Sequence, residues 1–387
     1  MYRKKICFVT TKSITIKSFL LEQLHYLNKH GYDVTVICDY DADLNNVLDK
    51  NINYFPVKMK RGIDFIHTPK CIFTLYRIFR KSNYSIVQYS TPNAAFSTSI
   101  AALLARVPIR LYSQWGIRYV GFTGFKRRIF KLLEKLVCTL STNIQPDSKG
   151  NLLFSRKEGL YSDKKSRVIW NGSANGVDLG KFDISKKVEW RKVIRSKYNL
   201  SSDDFVLGFI GRLDKDKGID ELLEAFKLTI NIYSNIRLII IGPSDKNDGL
   251  NQKLLEWSKS SESVIYTGFT NKVEKYISAL DVLVQPSYRE GFGSVVIEAA
   301  AMGIPVIVTD IPGPTDAMKL GITGLAVPKA TVQPLFHAIE FMNVNPKIRK
   351  QMSINSIEFA QKNFDQAKLL NFILEDKNRL YEEQINA

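Results

Sequence analysis

Cysteine, histidine and long apolar runs are all scarce in this 387-residue chain. The four cysteines, Cys7, Cys38, Cys71 and Cys138, lie far apart, and no pair has metal or redox spacing. That excludes a disulfide framework and points to a reducing, cytoplasmic compartment. The four histidines, His25, His30, His67 and His337, are equally scattered, so no zinc or other metal site is expected. The best apolar window, Ala94 to Ala105, contains Ser97, Thr98 and Ser99 and stops at Arg106. It is too short to span a bilayer. Met1 to Lys5 is basic, but Ile6 to Thr10 is too short for the core of a signal peptide, so none is expected.

Acid is also scarce, in one place. From Asn51 to Gly150 there are 16 Lys/Arg against 3 Asp/Glu, so one stretch carries most of the net charge of +17. A local positive field implies an anionic partner: nucleic acid, a phosphorylated substrate or anionic lipid. A solvated, charged face is the alternative. The nucleic-acid reading rests on the basic balance alone, without a recognition helix or an aromatic RNA-binding signature, so no nucleic-acid partner is expected.

What is present is globular: 45% hydrophobic and 24% charged residues. Ile6–Thr10 reads as a strand, Phe19–Lys29 as an amphipathic helix closed by Gly31, and Val34–Cys38 as a second strand. Ile86–Gln88 and Ile109–Tyr112 continue the pattern. A second series starts at Phe205–Ile210, followed by a helix over Ile219–Ile230 and strands at Arg237–Ile241, Val264–Tyr266, Val282–Gln285 and Val306–Val308. Alternating strands and helices predict parallel sheets. The fold class is therefore α/β, with two Rossmann-like, doubly wound domains expected to face a central cleft. The expected bounds are 1–180, 181–365, and a C-terminal helix over 366–387 packing back toward the first domain. Polar Asn171–Ser202 reads as the connection between domains. Ligands of such sheets bind outside the carboxyl ends of the strands, where strand order switches.

The stretch YREGFGSVVIEAAAMG, Tyr288 to Gly303, is the most informative. Glu290 precedes a glycine-containing turn, Gly291-Phe292-Gly293. Ser294 or its neighbours open a helix carrying Glu298 in its second turn. A strand, a glycine turn and a helix N-terminus make an anion site, because unpaired N–H groups and the helix dipole face outward. Glycine lets backbone approach a ligand closely. Two carboxylates flanking such a turn suit a polyol, a diphosphate and a second polyol, that is, a nucleotide sugar. Gly211-Arg212 at a strand end and Lys217-Gly218 nearby add two cations suited to phosphate. Ordinary surface residues near a helix start are the competing reading for each of these singly.

Gly211-Arg212, Lys217-Gly218, Glu290-Gly291-Phe292-Gly293, Glu298 and the GSANGVD stretch from Gly172 to Asp178 together resemble a retaining glycosyltransferase of family 4, with the GT-B fold. NGSANGVDLGKF and IPGPTD resemble the bacterial branch that builds capsule, O-antigen and other lipid-linked surface polysaccharides. The resemblance implies that Arg212 and Lys217 hold the donor diphosphate, with Gly211 beside them. It implies that Glu290 and the backbone from Gly291 to Ser294 hold the donor sugar, and that Glu298 holds the ribose. Gly268-Phe269-Thr270 would lie near the base. Transfer would retain configuration, with no metal and no cofactor beyond a nucleotide-sugar co-substrate, read as UDP-linked. The acceptor implied is a glycan on undecaprenyl diphosphate. The enzyme would then sit peripherally on the anionic inner face of the cell membrane. A non-catalytic nucleotide-sugar binder is the alternative. Asp41-Ala42-Asp43 and Asp214-Lys215-Asp216 mimic a metal-binding D-x-D but read better as loop carboxylates. Relatives carry His-Gly where this chain has Trp115-Gly116, and a glycine-rich loop where it has Thr10-Thr11-Lys12-Ser13. Trp115, Gly116 and Ser13 are the acceptor-side candidates; Trp115 either stacks on a sugar or packs in the wall.

FKRRIFKLLEKLV, Phe125 to Val137, places seven apolar residues on one arc and Arg127, Arg128, Lys131, Glu134 and Lys135 opposite. Such a helix lies on anionic membrane or packs its apolar face on a sheet. Packing is the expectation for the apolar face. The basic face, with Lys58, Lys60 and Arg61, suits phospholipid or a polyprenyl diphosphate.

Overall fold

The computed structural model describes residues 4–59, 67–243 and 249–386. Lys60, Arg61 and Met1 to Arg3 of the basic opening lie outside the described residues. The chain divides into two compact units, one of Met1–Asn175 with Ala367–Ala387 and one of Gly176–Gln366. The first boundary thus falls between Asn175 and Gly176, not after Gly180.

Each unit is built on a six-stranded parallel sheet. The first contains β1 (Lys4–Val9), β2 (Tyr32–Cys38), β3 (Asn53–Pro56), β4 (Ile86–Tyr89), β5 (Ile109–Gln114) and β6 (Asn143–Pro146), in the order β3-β2-β1-β4-β5-β6. The second contains β7 (Phe205–Ile210), β8 (Ile236–Ile241), β9 (Val264–Gly268), β10 (Val282–Gln285), β11 (Val306–Thr309) and β12 (Gly324–Val327), in the order β12-β11-β10-β7-β8-β9. Both are the doubly wound arrangement, with the switch in strand order between β1 and β4 and between β7 and β10. Helices cover both faces, so strands read as continuous apolar runs such as IRLIII in β8. Alternation sorts side chains to opposite cores. Cys7 and Val9 pack on one face of the first sheet, Ile6 and Phe8 on the other.

Three strands escape the sequence pattern: β3, β6 and β12. All are edges of their sheets. Edge strands are short and mixed in composition, and two of these end in proline, which edges tolerate.

The stretch expected to be an irregular connection contains a helix, Lys187–Lys197. It belongs to the second unit because Arg191 and Arg195 both donate to Asp281, each at 2.7 Å. Asp281 also accepts from the Val206 backbone N–H at 2.8 Å, so one carboxylate ties this helix to β7 and the start of β10.

The helix Gly124–Leu140 corrects a second expectation. Only part of its apolar arc is packed: Val137 is buried, and Phe130 lies against the core of the first unit. Phe125 (77% exposed), Ile129, Leu132 (72% exposed) and Leu136 form an outward stripe at helical spacing. The helix is amphipathic in three sectors: a packed edge, an exposed apolar stripe and a basic flank. Arg127 and Lys131 on that flank approach Glu158, at 3.6 and 2.8 Å.

Asp281→Ala strands Arg195, whose guanidinium is almost fully buried. Breaking a buried pair from one side costs about 3–5 kcal/mol. Chemical denaturation of the second unit is expected to show a loss of that size; a loss below 1 kcal/mol would mean the cluster is not the clamp described.

Candidate active site

The second sheet switches order between β7 and β10, and the glycines at these strand ends decide what meets there. Gly218 adopts φ +70° at the start of the helix Ile219–Ile230. A Cβ on it would lie 2.1 Å from the Pro286 carbonyl oxygen. Only glycine lets the turn Lys215–Lys217 press onto the end of β10. Gly242, after β8, is equally constrained: a Cβ there would lie 1.9 Å from the Gly211 carbonyl oxygen.

This close approach brings Lys217 to Glu290. Lys217 Nζ lies 2.5 Å from Glu290 Oε1, and both side chains are largely buried. Ser287 Oγ donates to the same oxygen at 2.8 Å and Gln285 Nε2 at 3.3 Å. Burial pushes the Glu290 carboxyl up, but the Lys217 ammonium and these hydrogen bonds outweigh it, so its pKa falls below the ordinary value. All three donors converge on Oε1, so none of these bonds occupies Oε2. Gln285 Oε1 is a buried acceptor with no hydrogen-bond partner at the same strand end. A buried acceptor left unpaired at a switch point calls for a partner from outside the protein, water or ligand.

Beyond Glu290 the chain turns through Gly293 (φ +85°) into the helix Ser294–Ala301. The IPGPTD loop closes on this turn. A Cβ at Gly313 would lie 2.2 Å from the Gly291 carbonyl oxygen, so no side chain larger than hydrogen fits there. Phe292 points inward, 3% exposed and edge-on to Phe364 at 5.3 Å. Only its backbone faces the turn; its ring belongs to the core. Glu298 is half-buried, and its carboxyl is pushed up to about 7 by burial, assisted by Glu274 and opposed by Lys181. The two glutamates therefore differ in state: Glu290 is held ionised, and Glu298 titrates near neutrality.

The other candidates are less committed. Arg212 is 67% exposed and pairs with Asp214 at 2.9 Å, so it reaches neither Glu290 nor Lys217 directly. Gly268 (φ +72°) ends β9, and Phe269 beside it is 75% exposed. Asp216 binds Arg289, whose Nε donates at 3.0 Å, and the Asp216 carbonyl accepts from the Tyr288 backbone N–H at 2.8 Å. Tyr288 also donates to Glu221. These bonds fasten the loop after β10 to the turn carrying Lys217. Sequence reasoning missed Gln285, Ser287, Tyr288, Arg289 and Gly313. The signal was there for the first four, since they flank Glu290, but nothing local says which polar neighbour turns inward.

In the first unit, Ser13 hydrogen-bonds Asp41, and Lys17 lies 2.8 Å from the same carboxylate. The bonds from Lys17 and Ser13 pull Asp41 down to about 2. Thr11 Oγ1 and Thr91 Oγ1 are 2.7 Å apart, joining the ends of β1 and β4 at this sheet's switch point. Trp115 is half-buried, its ring 5.9 Å from Phe19, and Gly116 follows with φ +82°. Trp115 lies against the core of the first unit, with part of its surface left accessible.

Lys217→Met leaves a buried carboxylate without its cation, and an unfolding free-energy loss of about 3–5 kcal/mol is expected. Adding Glu290→Gln is expected to restore at least half of it, because the uncompensated charge goes too. Additive losses in denaturant titrations of the single and double variants would show that the two residues do not interact.

Both halves of the chain match known families. The model described as Glycosyl transferases group 1 matches residues 191–359, and Glycosyl transferase 4-like matches residues 5–148. The capsular polysaccharide biosynthesis glycosyltransferase CapM of Staphylococcus aureus is 28% identical over 364 residues, 94% of each chain. A UDP-Gal:alpha-D-GlcNAc-diphosphoundecaprenol alpha-1,3-galactosyltransferase of Escherichia coli is 25% identical, over 88% of this chain and 89% of that one. A Campylobacter jejuni N,N'-diacetylbacillosaminyl-diphospho-undecaprenol alpha-1,3-N-acetylgalactosaminyltransferase is 23% identical over 92% and 94%. Among solved structures, a Rickettsia africae glycosyltransferase superposes with a TM-score of 0.80 at 19% identity, over 100% of this chain and 99% of that one. HepE of Anabaena in complex with UDP superposes at 0.77 and 17%, over 97% and 100%. Matches of both halves in order, full-length relatives and two doubly wound sheets converge: the chain belongs to the group 1 and 4-like glycosyltransferases, with the GT-B fold.

Proposed function

We propose that this glycosyltransferase moves a sugar from a UDP-linked donor to a glycan carried on undecaprenyl diphosphate, with retention at the anomeric carbon and without a metal. The observation that carries the proposal is the Lys217–Glu290 pair at the switch point, beside the N-terminus of the helix Ser294–Ala301. Glu290 Oε2 would accept from a hydroxyl of the donor sugar. Glu298 would accept from the ribose diol, and Phe269 would lie against the base. Arg212, Lys217 and the helix N-terminus would face the diphosphate. The bond from the anomeric carbon to the diphosphate breaks, and the acceptor oxygen bonds to that carbon on the same face. The acceptor proton leaves with the departing diphosphate. The chain's task is to stabilise charge on that leaving group, and each preorganised donor of this kind contributes about 2.7–4 kcal/mol in comparable sites. Cations and backbone dipoles supply that charge without a metal. The names of the Escherichia coli and Campylobacter jejuni relatives support the donor nucleotide and the lipid-diphosphate acceptor.

Calorimetric titration with UDP-, GDP- and CDP-sugars, with and without a chelator, tests the donor. One UDP-sugar is expected to bind in both conditions, and Glu290→Ala is expected to abolish transfer of its sugar. Binding is also expected to tighten from pH 6 to pH 8. The Glu298 carboxyl sits near 7, and only its ionised form accepts both ribose hydroxyls. Glu298→Gln should flatten that slope. Chelator-sensitive binding would sink the metal-free mechanism, and an unchanged slope in Glu298→Gln would sink the ribose role.

We also propose that the protein works peripherally at the cytoplasmic face of the membrane. Among the described residues no helix is long and apolar enough to cross a bilayer. The exposed stripe Phe125, Ile129, Leu132, Leu136, flanked by exposed Lys126, Arg128 and Lys135, suits the surface of an anionic bilayer. Each nearby cation contributes about 1 kcal/mol at such a surface. Phe125→Asp with Leu132→Asp should lower co-sedimentation with phosphatidylglycerol vesicles by about tenfold, since buried apolar area and charge both change. Thermal stability should hold, because both side chains are exposed. Unchanged sedimentation would remove this helix from membrane attachment.

A further inference from the structure

The first unit has a partly open cavity of about 530 Å³ that the donor site does not use. Three helices wall it: His67–Ser82, Pro92–Leu104 and Gly124–Leu140. Ile72, Phe96, Ile100, Ile129, Phe130 and Leu133 line it, and the lining is predominantly apolar. Protein interiors hold few voids larger than a water molecule, whereas pockets of about 300–1,000 Å³ are those that take small ligands. A cavity this large and this apolar is a container for hydrocarbon.

Its polar members are few and specific. Arg118 lines it, with its guanidinium 5.1 Å from the Phe130 ring centre. Pro92 and Asn93, the first turn of a thirteen-residue helix, also line it. A cation and a helix N-terminus both favour an anion. Glu134 is the one carboxyl in the lining. It is engaged by Tyr112 Oη at 2.9 Å and Gln114 Nε2 at 2.7 Å, so it is tied to β5. Burial raises its pKa, which lowers its cost to an anionic neighbour. Ile129 belongs both to this lining and to the exposed stripe of the same helix. The cavity therefore borders the stripe proposed to meet the bilayer. Hydrocarbon walls, an anion-favouring rim and a neighbouring membrane surface describe one ligand class: a long-chain lipid with a phosphate head.

We propose that this cavity holds the isoprenoid chain next to the diphosphate of the acceptor lipid, with the diphosphate against Arg118 and the N-terminus of the helix Pro92–Leu104. The proposal rests on the acceptor reading given above. It adds a tail-binding site within the first unit, so that the enzyme recognises its acceptor through the lipid as well as the glycan.

Calorimetry of the full chain with farnesyl diphosphate tests it. Stoichiometric binding is expected, with inorganic diphosphate binding far more weakly. Ile72→Trp and Ile100→Trp each put a ring into the cavity from a half-buried position on a different wall, so one folding variant suffices. Each should weaken farnesyl diphosphate at least about tenfold while leaving UDP-sugar binding intact. Arg118→Gln should weaken farnesyl diphosphate by about tenfold and farnesol much less, as for loss of a charge-assisted contact. Farnesyl diphosphate binding unchanged in both tryptophan variants would overturn the proposal. So would competition by lyso-phosphatidylglycerol as effective as that of the prenyl diphosphate, which would make the cavity an acyl-chain site. The two readings fail separately. Tail binding without sugar transfer from any UDP-sugar would defeat the proposed function, and transfer with unaltered tail binding in the tryptophan variants would defeat the cavity.

Discussion

The buried contact between Lys217 and Glu290 is the constraint on which the second unit's site depends. An ammonium and a carboxylate withdrawn from water are tolerable only together, with the remaining bonds made by Ser287 and Gln285. That requirement sets the position of two loops. Lys217 arrives because Gly218 allows its turn against Pro286, and Glu290 is fixed because Arg289 grips that turn through Asp216 and Tyr288 grips the helix after it through Glu221. Gly293 then starts the helix whose N-terminus faces the same place, and Gly313 lets the next loop close behind it. The site is a rigid frame of polar contacts at the end of an apolar sheet, which is what preorganised charge stabilisation requires.

The two units share a strand order and differ in what their helices carry. In the second, the covering helices are used up in packing, and polar chemistry gathers at the strand ends. In the first, one helix is only partly absorbed by the core. Gly124–Leu140 gives one edge to packing, a second to a cavity and a third to solvent. Five of the sixteen Lys/Arg of residues 51–150 lie on that helix. That outward stripe is the surface on which the membrane proposal rests.

Much of this was legible in the chain. The strand cores β1, β2, β4, β5, β7, β8, β9, β10 and β11 announce themselves as apolar runs between helical patterns, because parallel strands are buried on both faces. Of the edge strands, β9 did as well, but β3, β6 and β12 did not, because an edge lacks a neighbour on one side and its composition drifts toward that of a loop. Glu290, Glu298, Lys217 and the glycines were legible because glycine turns and carboxylates beside a helix start are local patterns. The helix within the expected connection was not: its apolar positions are few, and it is held by Arg191 and Arg195 on an aspartate 86 to 90 residues away.

The sequence by itself determined the class of fold, the repeat of one doubly wound unit by another and the glycine turn beside Glu290. Periodicity and backbone permissiveness are local properties, written within a few neighbouring residues. The tertiary structure alone decided the ionisation states. Glu290 is drawn down by a lysine 73 residues away in sequence, while Glu298, of the same residue type and one helix turn beyond the glycines, is pushed up by burial. It alone decided which edge of the amphipathic helix is hidden, and that three helices leave a cavity between them. Those outcomes depend on desolvation and on distances between chain segments remote in sequence, and no local pattern encodes either.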